Sequence, residues 1–271
     1  MKFIGLKNVL WEIGLLIKQS PFPHILFTGP RGSGKTQLSK YIGEVTGANF
    51  VEINAPALDK KKLYTTLLTL KPYSILFIDE IHRLHPAVEE ILYQPLEGGM
   101  LTVPFRNRLM TIKFVPFTLI GATTRPGLLS KPMLSRFKVN IPIPRYSVRE
   151  LTRMIMDKYG MIRSEALDIA RYTLVPREAL SLAFRVKSLG KAVHESLAFF
   201  GYKDGISLQE RTYLKLVGTN VASLTTISSF LQLDEDTIQL LEERLLSLGI
   251  IEITGRGRQL SFKGLEKLKT L

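Results

Sequence analysis

The 271 residues contain no cysteine, which excludes disulfide bonds and thiolate metal sites. With four histidines in all, a structural zinc site is not expected. Acidic residues are also short. Asp and Glu number 24 against 37 Lys and Arg, a formal net charge of +13. That excess points to a polyanionic partner, for which nucleic acid is our reading and a uniformly basic, solvated surface the alternative. No apolar run approaches the ~18 residues of a membrane span. The opening MKFIGLKNVLWEIGLLIK is broken by Lys7, Asn8 and Glu12, so it reads as an amphipathic helix and not as a signal peptide. No membrane association is expected, and cytoplasmic residence is.

What the chain does have is a phosphate loop. His24–Thr36, HILFTGPRGSGKT, fits G-x-x-x-x-G-K-S/T at every fixed position. An apolar strand precedes the glycines and a helical pattern, Gln37 to Val45, follows them, which is the context the motif requires. Gly29, Gly32 and Gly34 let the backbone bring its N–H groups around phosphate oxygens, with Pro30, Arg31 and Ser33 completing the loop. Lys35 reaches the β/γ-phosphates and Thr36 offers a hydroxyl to Mg²⁺. ATP and Mg²⁺ are therefore the expected ligands.

From Phe22 to Ile143, short β-rich apolar runs alternate with helical stretches, the mark of an α/β fold whose parallel sheet is covered by helices. The predicted strands are Ile25–Thr28, Asn49–Ile53, Ile75–Ile78, Thr118–Gly121 and Val139–Ile141. Between the third and fourth, Leu101–Phe114 alternates around Arg106, Asn107 and Arg108, which predicts an inserted β-hairpin, with a plain loop as the alternative. IPIPR, residues 141–145, breaks the pattern and places a domain boundary near residue 145. Helices are predicted at Val148–Tyr159, Glu165–Thr173 and Arg177–Leu189, in a small domain over 146–203. Over 204–271, three helical segments followed by GIIEITGRGRQLSF predict a winged helix.

Two further stretches carry chemistry. SILFIDEIHRL, Ser74 to Leu84, is an apolar strand ending in two carboxylates, and charges so placed pair with a cation or with polarised water. Asp79 is read as holding the Mg²⁺ shell and Glu80 as orienting or deprotonating the attacking water. In TLIGATTRPGLLSKPMLSRF, Thr118 to Phe137, a strand ends in Thr123 and Thr124, whose hydroxyls can meet water or the γ-phosphate if that strand neighbours Asp79. Arg136 follows, a guanidinium suited to spread phosphate charge, including in trans as an arginine finger. In the winged helix, Arg256 and Arg258 flank Gly257 at a hairpin tip, where they can reach DNA phosphates without reading sequence. The helix expected at Glu235–Leu248 is rich in acidic residues, which argues against insertion into a major groove.

GPRGSGKT, LFIDEIHRL, LIGATTR and PMLSRF together resemble the RuvB family of AAA+ ATPases, bacterial motors of Holliday junction branch migration. The resemblance runs over almost the whole chain, through a helical lid to the wing. It implies an ATP-dependent motor on double-stranded or junction DNA, a homo-oligomeric and hexameric ring, and a RuvA-like partner docking on the 101–114 hairpin. It also implies that Asp79 and Glu80 are the Walker B pair, Thr124 sensor 1, Arg136 the finger and Arg177 sensor 2. Pro176 opens the helix that bears Arg177, so an arginine in that first turn can report on the γ-phosphate from the lid. Three departures stand out. Phe3-Ile4-Gly5-Leu6 matches a segment that in the family follows residues helping to hold adenine, so those residues are expected to be missing. Leu134 stands where the family usually carries a basic residue, and Val175 where a Gly-Thr-Pro-Arg sequence is expected. The inserted hairpin is shorter and carries Arg106 and Arg108 at its tip. The alternative function is a nucleotide-switched DNA-binding adaptor, or a clamp-loader-like AAA+ protein with little motor activity.

Overall fold

The structure, a computed structural model, describes residues 3–19, 22–105, 108–219 and 222–270. The chain forms two compact units, Met1–Tyr146 and Ser147–Leu271.

The first unit opens with α1 (Lys7–Leu16), which buries Val9 and Ile13 and leaves Trp11 exposed. There follow β1 (Ile25–Thr28), α2 (Lys35–Thr46), β2 (Phe50–Asn54), α3 (Lys60–Thr69), β3 (Ser74–Asp79) and α4 (Pro86–Gly98). The rest of the unit is β4 (Met100–Phe105), β5 (Arg108–Lys113), β6 (Phe117–Thr123), α5 (Lys131–Arg136) and β7 (Val139–Pro142). Five strands make one parallel sheet in the order β2-β3-β6-β1-β7. A strand covered on both faces reads as an unbroken apolar run, and β1 and β6 are buried along their whole length. Register brings the carboxyl ends together: Thr28 pairs with Thr123, Ile78 with Gly121 and Asn54 with Asp79. That edge is where parallel α/β sheets place their ligands.

Between β3 and β6, β4 and β5 form a separate antiparallel ribbon, from Met100 opposite Lys113 to Phe105 opposite Arg108. Buried Leu101 and Phe114 anchor its base in the core beside Leu92, Leu96 and Phe117, while Met100 and Met110 stay exposed. Arg106 and Asn107 at the tip, and the Arg108 side chain, lie outside the described residues.

The second unit comprises α6 (Val148–Tyr159), α7 (Arg163–Ala170), α8 (Pro176–Leu189), α9 (Val193–Phe199), α10 (Leu208–Thr219), α11 (Leu224–Leu231) and α12 (Glu235–Ser247). It ends with β8 (Ile251–Thr254), β9 (Gly257–Leu260) and α13 (Phe262–Thr270). Ser147 and Glu150 form a capping box at the start of α6, and Gly160 ends that helix in the left-handed conformation. The winged helix has its own core of Tyr213, Leu214, Ile227, Ile238, Leu245, Ile250 and Ile251. β8 and β9 pair antiparallel, and an isolated bridge from Ala222 to Arg258 adds a third line to the wing. α13 packs tightly at Gly264, where a Cβ would come 2.0 Å from the Ile250 carbonyl oxygen, so only glycine fits there. Among the described residues no helix is long and apolar enough to cross a membrane.

Candidate functional site

The chain leaves β1 into the phosphate loop and enters α2 at Gly34, whose φ of 105° only glycine holds without strain. At the other end of the loop, a Cβ on Gly29 would lie 2.9 Å from the Ile143 carbonyl oxygen, so the loop can pass beside β7 only as glycine. The Tyr146 hydroxyl donates to the Ser33 carbonyl at 3.1 Å and holds the loop from outside. The Lys35 ammonium donates to the carbonyls of Gly29 at 2.8 Å and Pro30 at 2.9 Å, which lays it across the loop. Arg31 is exposed. The buried Ser33 hydroxyl has no hydrogen-bond partner among the described residues. An unpaired polar atom within a loop of backbone N–H groups at a helix N-terminus suits an incoming phosphate oxygen.

The remaining polar groups come from β3 and β6, which the sheet makes neighbours. Thr36 Oγ1 donates to Asp79 Oδ2 at 3.2 Å, and Asp79 Oδ1 accepts from the Glu80 backbone N–H at 3.0 Å. The hydroxyl and carboxylate expected to share Mg²⁺ thus meet, and both are hard oxygen donors of the kind that cation takes. Glu80 has φ 49°, a left-handed conformation that is strained in a residue other than glycine and is found at functional sites. Its Oε2 accepts from Thr124 Oγ1 at 3.2 Å. A residue we did not expect, His82, stands next to it: Nδ1 is 3.4 Å from Glu80 Oε2 and 2.9 Å from Thr123 Oγ1. Its signal in the sequence was its place two residues beyond Glu80, inside the same stretch that carries the carboxylates.

Arg136, at the end of α5, makes no hydrogen bond or ion pair with the phosphate loop among the described residues. Its Nη2 pairs with Glu97 Oε2 at 3.0 Å, Nη1 donates to Ser135 Oγ at 3.2 Å, and the guanidinium carbon is 5.7 Å from the centre of the Tyr93 ring. Arg177 is exposed in the first turn of α8, after Pro176.

The two wing arginines part company. Arg256 is exposed at the tip, as expected. Arg258, expected to face phosphates beside it, turns inward instead: Nε donates to Glu242 Oε1 at 2.9 Å and Nη2 to Oε2 at 3.3 Å. Glu242, whose side chain is 3% exposed, also accepts from the buried Tyr213 hydroxyl at 2.8 Å. The hydrogen bond to Glu242 raises the Arg258 pKa, and burial, then the Glu242 charge, raises that of Tyr213. The correction has a simple cause. A buried carboxylate needs a cation, and Arg258 is the one that reaches it. Arg258→Ala is therefore expected to destabilise the protein by about 1–3 kcal/mol, below the ~3–5 kcal/mol for breaking a fully buried pair because the guanidinium is itself partly exposed. Urea unfolding beside Arg256→Ala, expected within ~0.5 kcal/mol of wild type, measures the difference.

A parallel sheet with a phosphate loop, an Asp-Glu pair and a polar strand end at one edge, followed by helices and a winged helix, defines an AAA+ ATPase that binds nucleotide. Residues 2–143 match the family described as the Holliday junction DNA helicase RuvB P-loop domain, and residues 203–269 match the RuvB C-terminal winged helix domain. The chain is 37% identical over 292 residues to the Holliday junction branch migration complex subunit RuvB of Campylobacter fetus, covering 97% of this chain and 85% of that protein. The subunit of the same description from Ehrlichia chaffeensis is 34% identical, with 98% and 91% covered. Among solved structures, the Thermotoga maritima RuvB Holliday junction branch migration motor superposes with a TM-score of 0.84 at 32% identity, covering 98% of this chain and 95% of that one. The chain belongs to the RuvB family.

Proposed function

We propose that this protein is an ATP-driven motor that migrates Holliday junctions, working on double-stranded DNA in the cytoplasm as a homo-oligomeric, hexameric ring. One observation carries the reading: Thr36 with Asp79, and Thr124 with Glu80, are paired at the carboxyl edge of the sheet in a chain that is RuvB-like along nearly its whole length. In this reading the loop from Gly29 to Lys35 binds the phosphates of ATP. Thr36 and Asp79 would hold Mg²⁺, which offsets charge on the phosphates. Glu80 accepts a proton from the attacking water, and Thr124 fixes the oxygen that does so. Arg136 acts in trans on the nucleotide of a neighbouring subunit, a role supported by its contacts within the described residues, which are with Glu97, Ser135 and Tyr93 and not with its own phosphate loop, and Arg177 senses the γ-phosphate from the lid domain over 146–203.

Arg256 is our phosphate contact on the wing of the domain over 204–271, and Arg258 braces the wing that presents it. The 101–114 ribbon is our docking site for a RuvA-like partner. Steady-state ATP turnover with and without duplex DNA tests the motor reading, since a motor is stimulated by its track and a nucleotide-switched adaptor barely turns over. Arg256→Ala should weaken duplex binding about equally for any sequence and flatten the slope of log affinity against log salt by roughly 0.9, the value of one lost phosphate contact. A wild-type slope moves the DNA contact elsewhere.

A further inference from the structure

We infer that His82 is a positioning residue for ATP hydrolysis, holding the Glu80 carboxylate through Nδ1; the inference rests on Glu80 being the base. Among the described residues Glu80 Oε2 has one hydroxyl donor, Thr124, at 3.2 Å, and one such bond leaves a flexible side chain room to swing. The imidazole lies against the same oxygen as a second, longer contact, with Nδ1 at 3.4 Å. It is itself fixed on both sides. Its side chain is 8% exposed, on a short helical turn that begins after Glu80 and is pinned by fully buried Ile81, and its Nδ1 lies 2.9 Å from Thr123 Oγ1. The Thr123 hydroxyl oxygen also accepts from the Arg125 backbone N–H at 3.0 Å, so it does not drift.

The chemistry of the neighbours assigns the hydrogen. An ionised carboxylate only accepts, so the contact with Glu80 calls for a hydrogen on Nδ1, which the Thr123 hydroxyl oxygen can also accept; with the hydrogen on Nε2 alone, Nδ1 could take one from Thr123 but would turn a lone pair toward the carboxylate. His82 therefore ties the base to the end of β6, the strand that Thr124 directly follows. A base held to one oxygen position meets the attacking water at reacting distance, and small misplacements at such a point are costly in rate.

The full-length protein, assayed for steady-state ATP turnover with duplex DNA, tests this through three variants of His82 and one of Glu80. An Asn side chain places its amide nitrogen near the position of Nδ1, and Gln places it near Nε2. His82→Ala and His82→Gln should lose roughly 10- to 100-fold in kcat with KM within about twofold of wild type, the pattern of misplaced chemistry and not of lost binding. His82→Asn should keep kcat within about threefold. Equal kcat for the Asn and Gln variants, whether high or low, overturns the Nδ1 role, as does wild-type kcat in His82→Ala. If His82→Ala fails to fold, judged by fluorescent-nucleotide binding and thermal unfolding, the contrast between Asn and Gln decides alone. Glu80→Gln separates the two levels: wild-type turnover in that variant removes Glu80 as the base, whereas an inactive Glu80→Gln beside an active His82→Ala removes only His82.

Discussion

Protein carrying Glu80→Gln is expected to bind ATP with near wild-type affinity and to lose turnover by roughly 10²–10⁴-fold, the range associated with a positioned general base. The amide keeps the shape of the carboxylate and can still accept from Thr124 through its oxygen, but it cannot take a proton. Binding should survive because the groups around the phosphates are untouched: Lys35 keeps its two loop carbonyls and Thr36 keeps Asp79. Equilibrium titration with a fluorescent ATP analogue and a phosphate-release assay read the two quantities separately. If turnover stays at the wild-type rate, Glu80 is only the residue that starts the helical turn at Ile81–Arg83, and its left-handed backbone serves that turn alone.

Much of this site is legible in the sequence because its parts are local. The phosphate loop is one continuous segment, and the apolar runs ending in Asp79 and in Thr123 announce strands whose ends carry polar groups. That those ends meet follows from β3 pairing with β6, which the sequence allows but does not state. Thr173 shows where local reading stops short. Helical periodicity extends the second helix after the domain boundary to it, yet α7 ends at Ala170. Thr173 Oγ1 instead accepts from the Val175 backbone N–H at 3.0 Å and donates to Glu178 at 2.6 Å, joining the turn to the start of α8. Such side-chain bonds compete with helix continuation, and Pro176 favours the break.

The wing misleads for a different reason. Charged residues beside a hairpin glycine are ordinarily solvated, and Arg258 looks equivalent to Arg256. Its partner Glu242 lies on α12 among the acidic residues that argue against groove insertion, yet it is buried. One local signal was available: Leu260 packs on the winged-helix core, and side chains two apart on a strand share a face, which puts Arg258 on the inner side. His82 is harder. Its role depends on Thr123, which is forty-one residues away and reaches it only because of strand order.

Arg136→Ala should leave ATP affinity nearly unchanged and lower turnover by roughly 10³-fold or more, the scale of arginine fingers. Within one subunit the guanidinium rests against Glu97 and Tyr93, and its buried Nε has no hydrogen-bond partner among the described residues, so its removal leaves the phosphate loop of its own subunit untouched. A guanidinium acting on its own subunit's nucleotide and one acting across an interface give the same loss when every subunit is mutated. Mixing distinguishes them. In a mixture of Arg136→Ala and Glu80→Gln proteins, each inactive alone, some interfaces join a subunit with intact Glu80 to a neighbour with intact Arg136. Action in trans restores turnover at those interfaces, with a yield that rises and falls with the mixing ratio. Action in cis restores none, since no single subunit then holds both groups. Light scattering or crosslinking that shows co-assembly, combined with absent recovery, would exclude the trans role and leave Arg136 either to action in cis or to its pairing with Glu97, which joins α5 to α4.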